Sequence, residues 1–327
     1  MRIDREQQAN SSTRVQDALH AAQLYYMQDL TMDAIARELR TSRSSISRLL
    51  SFARSTGLVD IRIQSPLGAP GRLENEFMLR YSVAAQIVPV PDQTSDVDRL
   101  ERVAISAARI LGRYFDSNMI MGVAWGSTVS AISRQLTAKQ THNSQIVQLN
   151  GAANYRTTGI LYASEILSRF GEAYGAYVQQ FPVPAFFDDP ETKRALWRER
   201  SIRRVLDIQA HMDVALFGLG SPSAEVPSHV FSGGYLNRED FRSLAKQGVV
   251  GDVATVFYRI DGSYSDLLLN ARSSGPDLGL LRRVARRICV VSGKAKLASL
   301  RGALNAGIVT DLIVDEGTAH ALIESEA

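Results

Sequence analysis

One short phrase recurs along most of this chain: a brief apolar run, a glycine or small polar residue, then a helical pattern. The apolar runs cover residues 85–90, 118–124, 145–149, 177–181, 214–217, 254–260, 288–291 and 312–314. Most close on polar or glycine residues: Trp125-Gly126-Ser127-Thr128, Asn150-Gly151, Gly218-Leu219-Gly220, Asp261-Gly262, Ser292-Gly293 and Asp315-Glu316. Residues 97–115, 159–170 and 188–206 carry helical spacing, the last with a strongly charged sequence. Strands that are apolar throughout need cover on both faces. Alternated with helices, they predict an α/β fold with a doubly wound, mostly parallel sheet.

Ligands in such sheets bind at the carboxyl ends of the strands. Trp125, Gly126, Ser127, Thr128, Asn150, Gly151, Gly220, Asp252 and Lys296 fall at or near those ends and are predicted to line one effector pocket. The stretch GVAWGSTVSAISRQL (122–136) reads strand, glycine turn, helix, a geometry that aims N–H groups and hydroxyls at an anion. An acid and amides at the neighbouring ends suit hydroxyls. Together they fit a phosphorylated sugar or polyol. Each residue alone has a plainer reading: the glycines as turn residues, Lys296 as a solvated charge, Asp252 as a turn cap, Trp125 as core.

The first sixty residues follow a different pattern. In LTMDAIARELRTSRSSISRLLSFARSTGLVDIRI, Thr31 can cap a helix with Ile35, Ala36 and Leu39 inward. Ser42 can cap a second, with Ile46, Leu49, Leu50 and Ala53 inward. The short spacing between them is that of a helix-turn-helix, with residues 15–30 as a preceding helix and LVDIRIQ as a short wing strand. Arg43, Ser44, Ser47 and Arg48 face away from the apolar stripe, and Ser45 lies beside them. Hydroxyls and guanidinium groups suit phosphates and base edges, so Thr31, Ser42, Arg43, Ser44, Ser45, Ser47 and Arg48 are the predicted contacts to double-stranded operator DNA. Arg40 and Thr41 occupy turn positions more often held by glycine and an apolar residue. QSPLGAPGRLE, with two prolines and two glycines, reads as a linker. The expected division is 1–64 DNA-binding, 65–74 linker and 75–327 effector domain.

The net charge of +3 identifies no partner, but residues 40–54 hold four arginines and no acid. No apolar run is long enough for a membrane span, and the polar N-terminus lacks a secretory core, so a cytoplasmic location is expected. The single cysteine, Cys289, sits in an apolar run and reads as a buried, inert thiol.

In order and spacing, the helix-turn-helix, WGST (125–128), LNGA (149–152), VPA (183–185), ALFGLGS (215–221), SGGYLN (232–237), GVVGDVATVFYRIDG (248–262), VVSGKAK (290–296) and DLIVDEGTA (311–319) resemble the SorC-type, sugar-binding transcriptional regulators. The resemblance covers nearly the whole chain. It implies an effector domain similar to sugar-phosphate isomerases and deaminases. It also implies a phosphate cradle at Gly126, Ser127 and Thr128, with Lys296 near the ligand and Asp252 on its hydroxyls. Dimers or tetramers on operator DNA are implied too, with binding modulated by a phosphorylated sugar or polyol and repression of carbohydrate or polyol genes as the expected outcome. Ala124 departs from a frequent family glycine, and Tyr258 and Arg259 from Phe and Asp.

The alternative is an isomerase or deaminase with an accessory helical domain, using Asp252 or Glu316 as base. His20, His142, His211, His229 and His320 show no nucleophile pairing or metal spacing, and His142 and His229 read as solvated loop residues. No phosphate-loop, HxxxH or CxxC motif is present. The expectation is therefore a regulator with no catalytic set, metal or cofactor.

Overall fold

A computed structural model describes residues 3–59, 71–222, 224 and 228–325. The chain forms two compact units, 1–69 and 70–327.

Among the described residues, the small unit is three helices: α1 (Ile3–Tyr26), α2 (Met32–Glu38) and α3 (Arg43–Ser55). Its core is built from Ala18, Ala21, Ala22, Leu24, Ile35, Ala36, Ile46, Leu50 and Ala53. Alanines where the helices cross let their backbones approach. Thr31 caps α2 by accepting from the Ala34 amide, and Ser42 caps α3 by accepting from the Ser45 amide. Arg40 takes the left-handed conformation at φ 49°. The Thr41 amide reaches back to the Ala36 carbonyl at 2.9 Å and the Arg40 amide to Arg37 at 3.3 Å. This is a Schellman closure built on arginine rather than glycine, at a cost of roughly 1 kcal/mol. α1 stops at Tyr26, short of the expected end at residue 30, and the wing expected at 58–64 lies, from residue 60, outside the described residues.

In the large unit, α4 (Arg72–Tyr81) leads into β1 (Ala84–Val88), α5 (Asp96–Tyr114), β2 (Ile120–Val123), α6 (Ser127–Ser133), β3 (Gln145–Gln148), α7 (Ile160–Tyr174) and β4 (Tyr177–Gln179). Next come α8 (Pro190–Leu196), α9 (Arg200–Ala210), β5 (Val214–Gly218), α10 (His229–Ser232), α11 (Arg238–Lys246), β6 (Val249–Val253) and β7 (Val256–Arg259). The chain ends with α12 (Leu278–Arg283), β8 (Arg286–Val291), α13 (Leu297–Asn305), β9 (Asp311–Asp315) and α14 (Glu316–Glu324). Helix α4 takes in Arg72 to Glu74, residues expected as linker.

Seven strands form one all-parallel sheet in the order β1-β9-β8-β5-β2-β3-β4. Alternate residues along each strand serve opposite faces. Leu216, Ile288, Val290 and Ile313 pack with α5, α6 and α7, while Ala215, Phe217, Cys289, Val291, Leu312 and Val314 pack with α4, α12, α13 and α14. That two-sided demand is why the strand sequences are apolar throughout. The order reverses at β2. Strands β3 and β4 continue to one side, β5, β8 and β9 to the other, and the loops after β2 and β5 diverge to leave a crevice between them.

Two further expectations change. Residues 254–260 do not add a strand to the sheet. Val256–Arg259 pairs antiparallel with Val249–Val253 in a separate hairpin. Residues 188–206 are not one helix but α8 and the start of α9, broken at Trp197–Glu199, where Trp197 wedges its ring against Phe181 and Phe187.

Candidate functional site

The loops leaving β2 and β5 meet the tip of the β6–β7 hairpin and the turn after β8. They line a narrow, partly open cleft. Trp125, Gly126, Ser127, Thr128, Asn150, Gly220, Asp252 and Lys296 all line it, so eight of the nine residues predicted to converge do converge.

Gly151 is the ninth and does not line the cleft. A side chain there would meet the Val183 carbonyl at 2.2 Å. Its amide donates to Ser274 Oγ at 2.9 Å, and its carbonyl accepts from Trp125 Nε1 at 2.9 Å. It is a close-approach position behind the wall. Trp125 stacks on Tyr235, with ring centroids 5.1 Å apart, and Tyr235 Oη donates to the Ala152 carbonyl. The indole thus fastens the β2 loop to the β3 loop while forming part of the cleft lining.

The hairpin delivers Asp252. Its two-residue turn, Ala254 and Thr255, has positive φ at both positions (46° and 70°). This is the turn that suits hairpin twist but normally recruits Asn-Gly, and each L-residue there costs roughly 1–2 kcal/mol. Side-chain bonds hold it. The Thr255 amide donates to Asp252 Oδ2 at 3.1 Å, and Thr255 Oγ1 lies 3.0 Å from Ser273 Oγ. The hairpin docks on the end of β5 by reciprocal main-chain bonds between Gly220 and Asp252. Ser299 Oγ donates to the Gly220 carbonyl at 2.8 Å.

Polar groups in the cleft are under-satisfied. Asp252 Oδ1 and Asn150 Oδ1 are buried with no hydrogen-bond partner. Burial lifts the Asp252 carboxyl to a pKa of about 7, against the opposing pull of the Thr255 amide and the Lys296 charge. Lys296 lies in a single 3-10 turn, Lys294–Lys296, and is 7% exposed. Among the described residues its ammonium has no hydrogen-bond or ion-pair partner. Desolvation lowers its pKa, opposed by Cys289, Asp252 and Asp96. A largely buried lysine with no hydrogen-bonding partner, in one cleft with two unpartnered acceptors, is costly unless a ligand completes the set.

Asp315 fixes the turn that carries Lys296. Its Oδ2 accepts from the Gly293 amide and its Oδ1 from Arg99 at 2.9 Å, both in the interior.

Sequence reading missed Ser228, His229 and Thr255 in the lining. His229 is not a solvated loop residue. It opens α10, half-buried, with its ring 4.9 Å from that of Tyr162, and burial lowers its pKa. Cys289 is fully buried, which pushes its thiol pKa far up and leaves it inert. Glu316 is in the first turn of α14 and absent from the cleft lining. No group of three potential metal ligands occurs among the described residues.

On the small unit, Arg43, Ser44, Ser47 and Arg48 are exposed along one side of α3, opposite Ile46 and Leu50. Arg48 is steadied on its own helix by the Ser44 carbonyl (3.4 Å) and Ser45 Oγ (3.3 Å). Arg43 makes a loose, exposed pair with Asp33 at 3.8 Å. Thr31 and Ser42 act as caps, and the Ser42 hydroxyl also bonds those of Ser44 and Ser45.

A helix-turn-helix on the same chain as a parallel sheet with a ligand-demanding cleft at its switch point defines a ligand-responsive, DNA-binding transcriptional regulator. Residues 65–324 match the family described as "Putative sugar-binding domain". The chain is 32% identical to the deoxyribonucleoside regulator of Bacillus subtilis (strain 168), over 98% of this chain and 99% of that one. A crystal structure of a domain of a possible sugar-binding transcriptional regulator from Arthrobacter aurescens TC1 is 54% identical, with a TM-score of 0.73, covering 80% of this chain and all of that one. Full-length sorbitol operon regulator SorC from Klebsiella pneumoniae is 25% identical with a TM-score of 0.70, covering 94% and 99%. The chain belongs to the SorC-type family of sugar-binding transcriptional regulators. Its relatives are regulators, and so is this protein; it is not an enzyme. No described helix is long and apolar enough to cross a membrane.

Proposed function

We propose that the cleft takes a phosphorylated sugar or polyol, and that its occupancy weakens operator binding, making the protein a repressor of carbohydrate or polyol catabolism genes. The observation that carries this is the pairing of unmet demands in one cavity. The Lys296 ammonium has no hydrogen-bonded anion among the described residues, while Asp252 Oδ1 and Asn150 Oδ1 lack donors. A phosphate beside Lys296 and the Ser127 and Thr128 hydroxyls meets the first demand. Sugar or polyol hydroxyls meet the second, and Trp125 walls the ligand.

DNA reading is assigned to residues 1–64 and effector binding to 75–327. Arg43, Ser44, Ser47 and Arg48 enter a major groove, with Ser45 steadying Arg48 and Thr31 and Ser42 ordering the two helices. A dimer or tetramer supplies the second half-site. Because a ligand shifts an equilibrium only through different affinity for its states, the effector must bind one arrangement of the oligomer more tightly. Working on chromosomal DNA places the protein in the cytoplasm.

The test is a thermal-shift screen of sugars and polyols, each paired with its phosphate. Phosphorylated members should raise the melting temperature at concentrations where their parents do not. Equal shifts for both members of every pair would remove the phosphate from the proposal.

A further inference from the structure

The charged stretch around α8 and α9 plays no part in the effector cleft. From Pro190 to Arg204 the sequence PETKRALWRERSIRR holds six basic and two acidic residues, a net +4 against +3 for the whole chain. Arg194 pairs with Glu191. Among the described residues, Arg198, Arg200, Arg203 and Arg204 have no ion-pair partner, and all four are exposed.

Their arrangement is directional. Ile202, Val205 and Gln209 bury one side of α9. Arg200, Arg203 and Arg204, spaced i, i+3 and i+4, form the other, with neighbouring Cβ atoms about 5–6 Å apart. They border a wide, open depression with Gln145, Asp207 and His211. It lies at the amino-terminal ends of β2 and β3, the opposite end of the sheet from the effector cleft.

We infer that this face of α9 is a second contact to duplex DNA, made through backbone phosphates and independent of sequence. The depression is too open, and its arginines too exposed, to enclose a small anion. Three unpaired guanidinium groups in a row match a row of phosphates, each able to take a bidentate bond. On the proposed function the duplex is a polyanion this chain meets. Where a duplex held by the helix-turn-helix also reaches α9, the second contact is intramolecular and gains from effective concentration. The inference rests on the chain being a DNA-binding regulator, and that premise fails separately: Arg48→Ala would then leave operator binding unchanged.

The experiment compares full-length wild type with R200Q/R203Q/R204Q. It also includes R102Q/R109Q/R113Q, which removes the same charge from the exposed side of α5. Affinity for a random-sequence duplex of roughly four helical turns is followed against salt. The α9 variant should bind about tenfold more weakly near 0.1 M salt, with a log–log salt slope smaller by about 2–3, and the α5 variant should track wild type. Equal losses in both variants, or no change in the α9 variant, would overturn the inference. So would a change of oligomeric mass in the α9 variant with an unchanged salt slope, because the face would then seat a second copy of this chain. Because all six arginines are exposed, unchanged melting temperatures are expected and serve as the folding control.

Discussion

Gly220 and Asp252 exchange main-chain hydrogen bonds, Gly220 N to Asp252 O at 2.9 Å and Asp252 N to Gly220 O at 3.3 Å. This bridge fastens the β6–β7 hairpin to the end of β5 and so sets where the unpartnered Asp252 Oδ1 points. A methyl group on residue 220 would stand 1.8 Å from that oxygen. Gly220→Ala should therefore displace the carboxylate and abolish the effector response, with a stability loss of about 1–3 kcal/mol. Denaturant unfolding and effector-dependent DNA release measure the two effects; a variant that still answered effector normally would contradict this placement of Asp252.

Asp252 also predicts a pH dependence. Its carboxyl titrates near 3.8 when unfolded and at about 7 in the native protein. Between those values the unfolded chain has lost a proton that the native state keeps. Stability therefore falls as pH rises through this window and levels off above it, by an amount on the order of 4 kcal/mol. Asp252→Asn keeps the shape and removes the titration. Its melting temperature should be less pH-dependent than wild type from about pH 4 to 7 and higher near neutrality without effector. Parallel curves for the two proteins would show that Asp252 does not titrate in this way.

Arg48→Ala should weaken operator binding by about 1–3 kcal/mol, roughly ten- to hundredfold, if the guanidinium reads a base edge. Effector-induced thermal shifts should be unchanged, since the substitution lies outside the cleft. Fluorescence anisotropy on labelled operator DNA separates these outcomes.

Arg99→Met would leave Asp315 charged, 0% exposed and without its guanidinium. The expected loss is about 3–5 kcal/mol, measured by denaturant midpoint, because an unpaired buried charge remains. A loss under 1 kcal/mol would mean that the Gly293 and Thr318 bonds to Asp315 suffice alone.

The sequence exposed most of this architecture because burial on both faces leaves a local trace: apolar strands closing on polar turns. The cleft was legible for the same reason, since strand order places those turns together. What escaped depended on tertiary contacts. The β6–β7 turn uses Ala254-Thr255, which carries no turn signature and is held by the neighbouring Asp252 side chain and by Ser273 from a separate segment. The break between α8 and α9 has neither glycine nor proline and comes from Trp197 packing on Phe181 and Phe187. His229 reaches the cleft through α10, which no periodicity announced. Gly151 marks a close backbone approach, and from sequence alone such a glycine is indistinguishable from one that contacts ligand.

The central claim is that the cleft reads a phosphate through Lys296 and passes that reading to DNA. The direct measurement is release of labelled operator DNA by a sugar or polyol phosphate and by its unphosphorylated parent, for wild type and Lys296→Met. Wild type should respond to the phosphate at a concentration at least about a hundredfold lower, roughly 2.7 kcal/mol. Lys296→Met should bind DNA as wild type does and lose that preference. Equal potency of the two compounds on wild type, or an undiminished preference in Lys296→Met, would contradict the account.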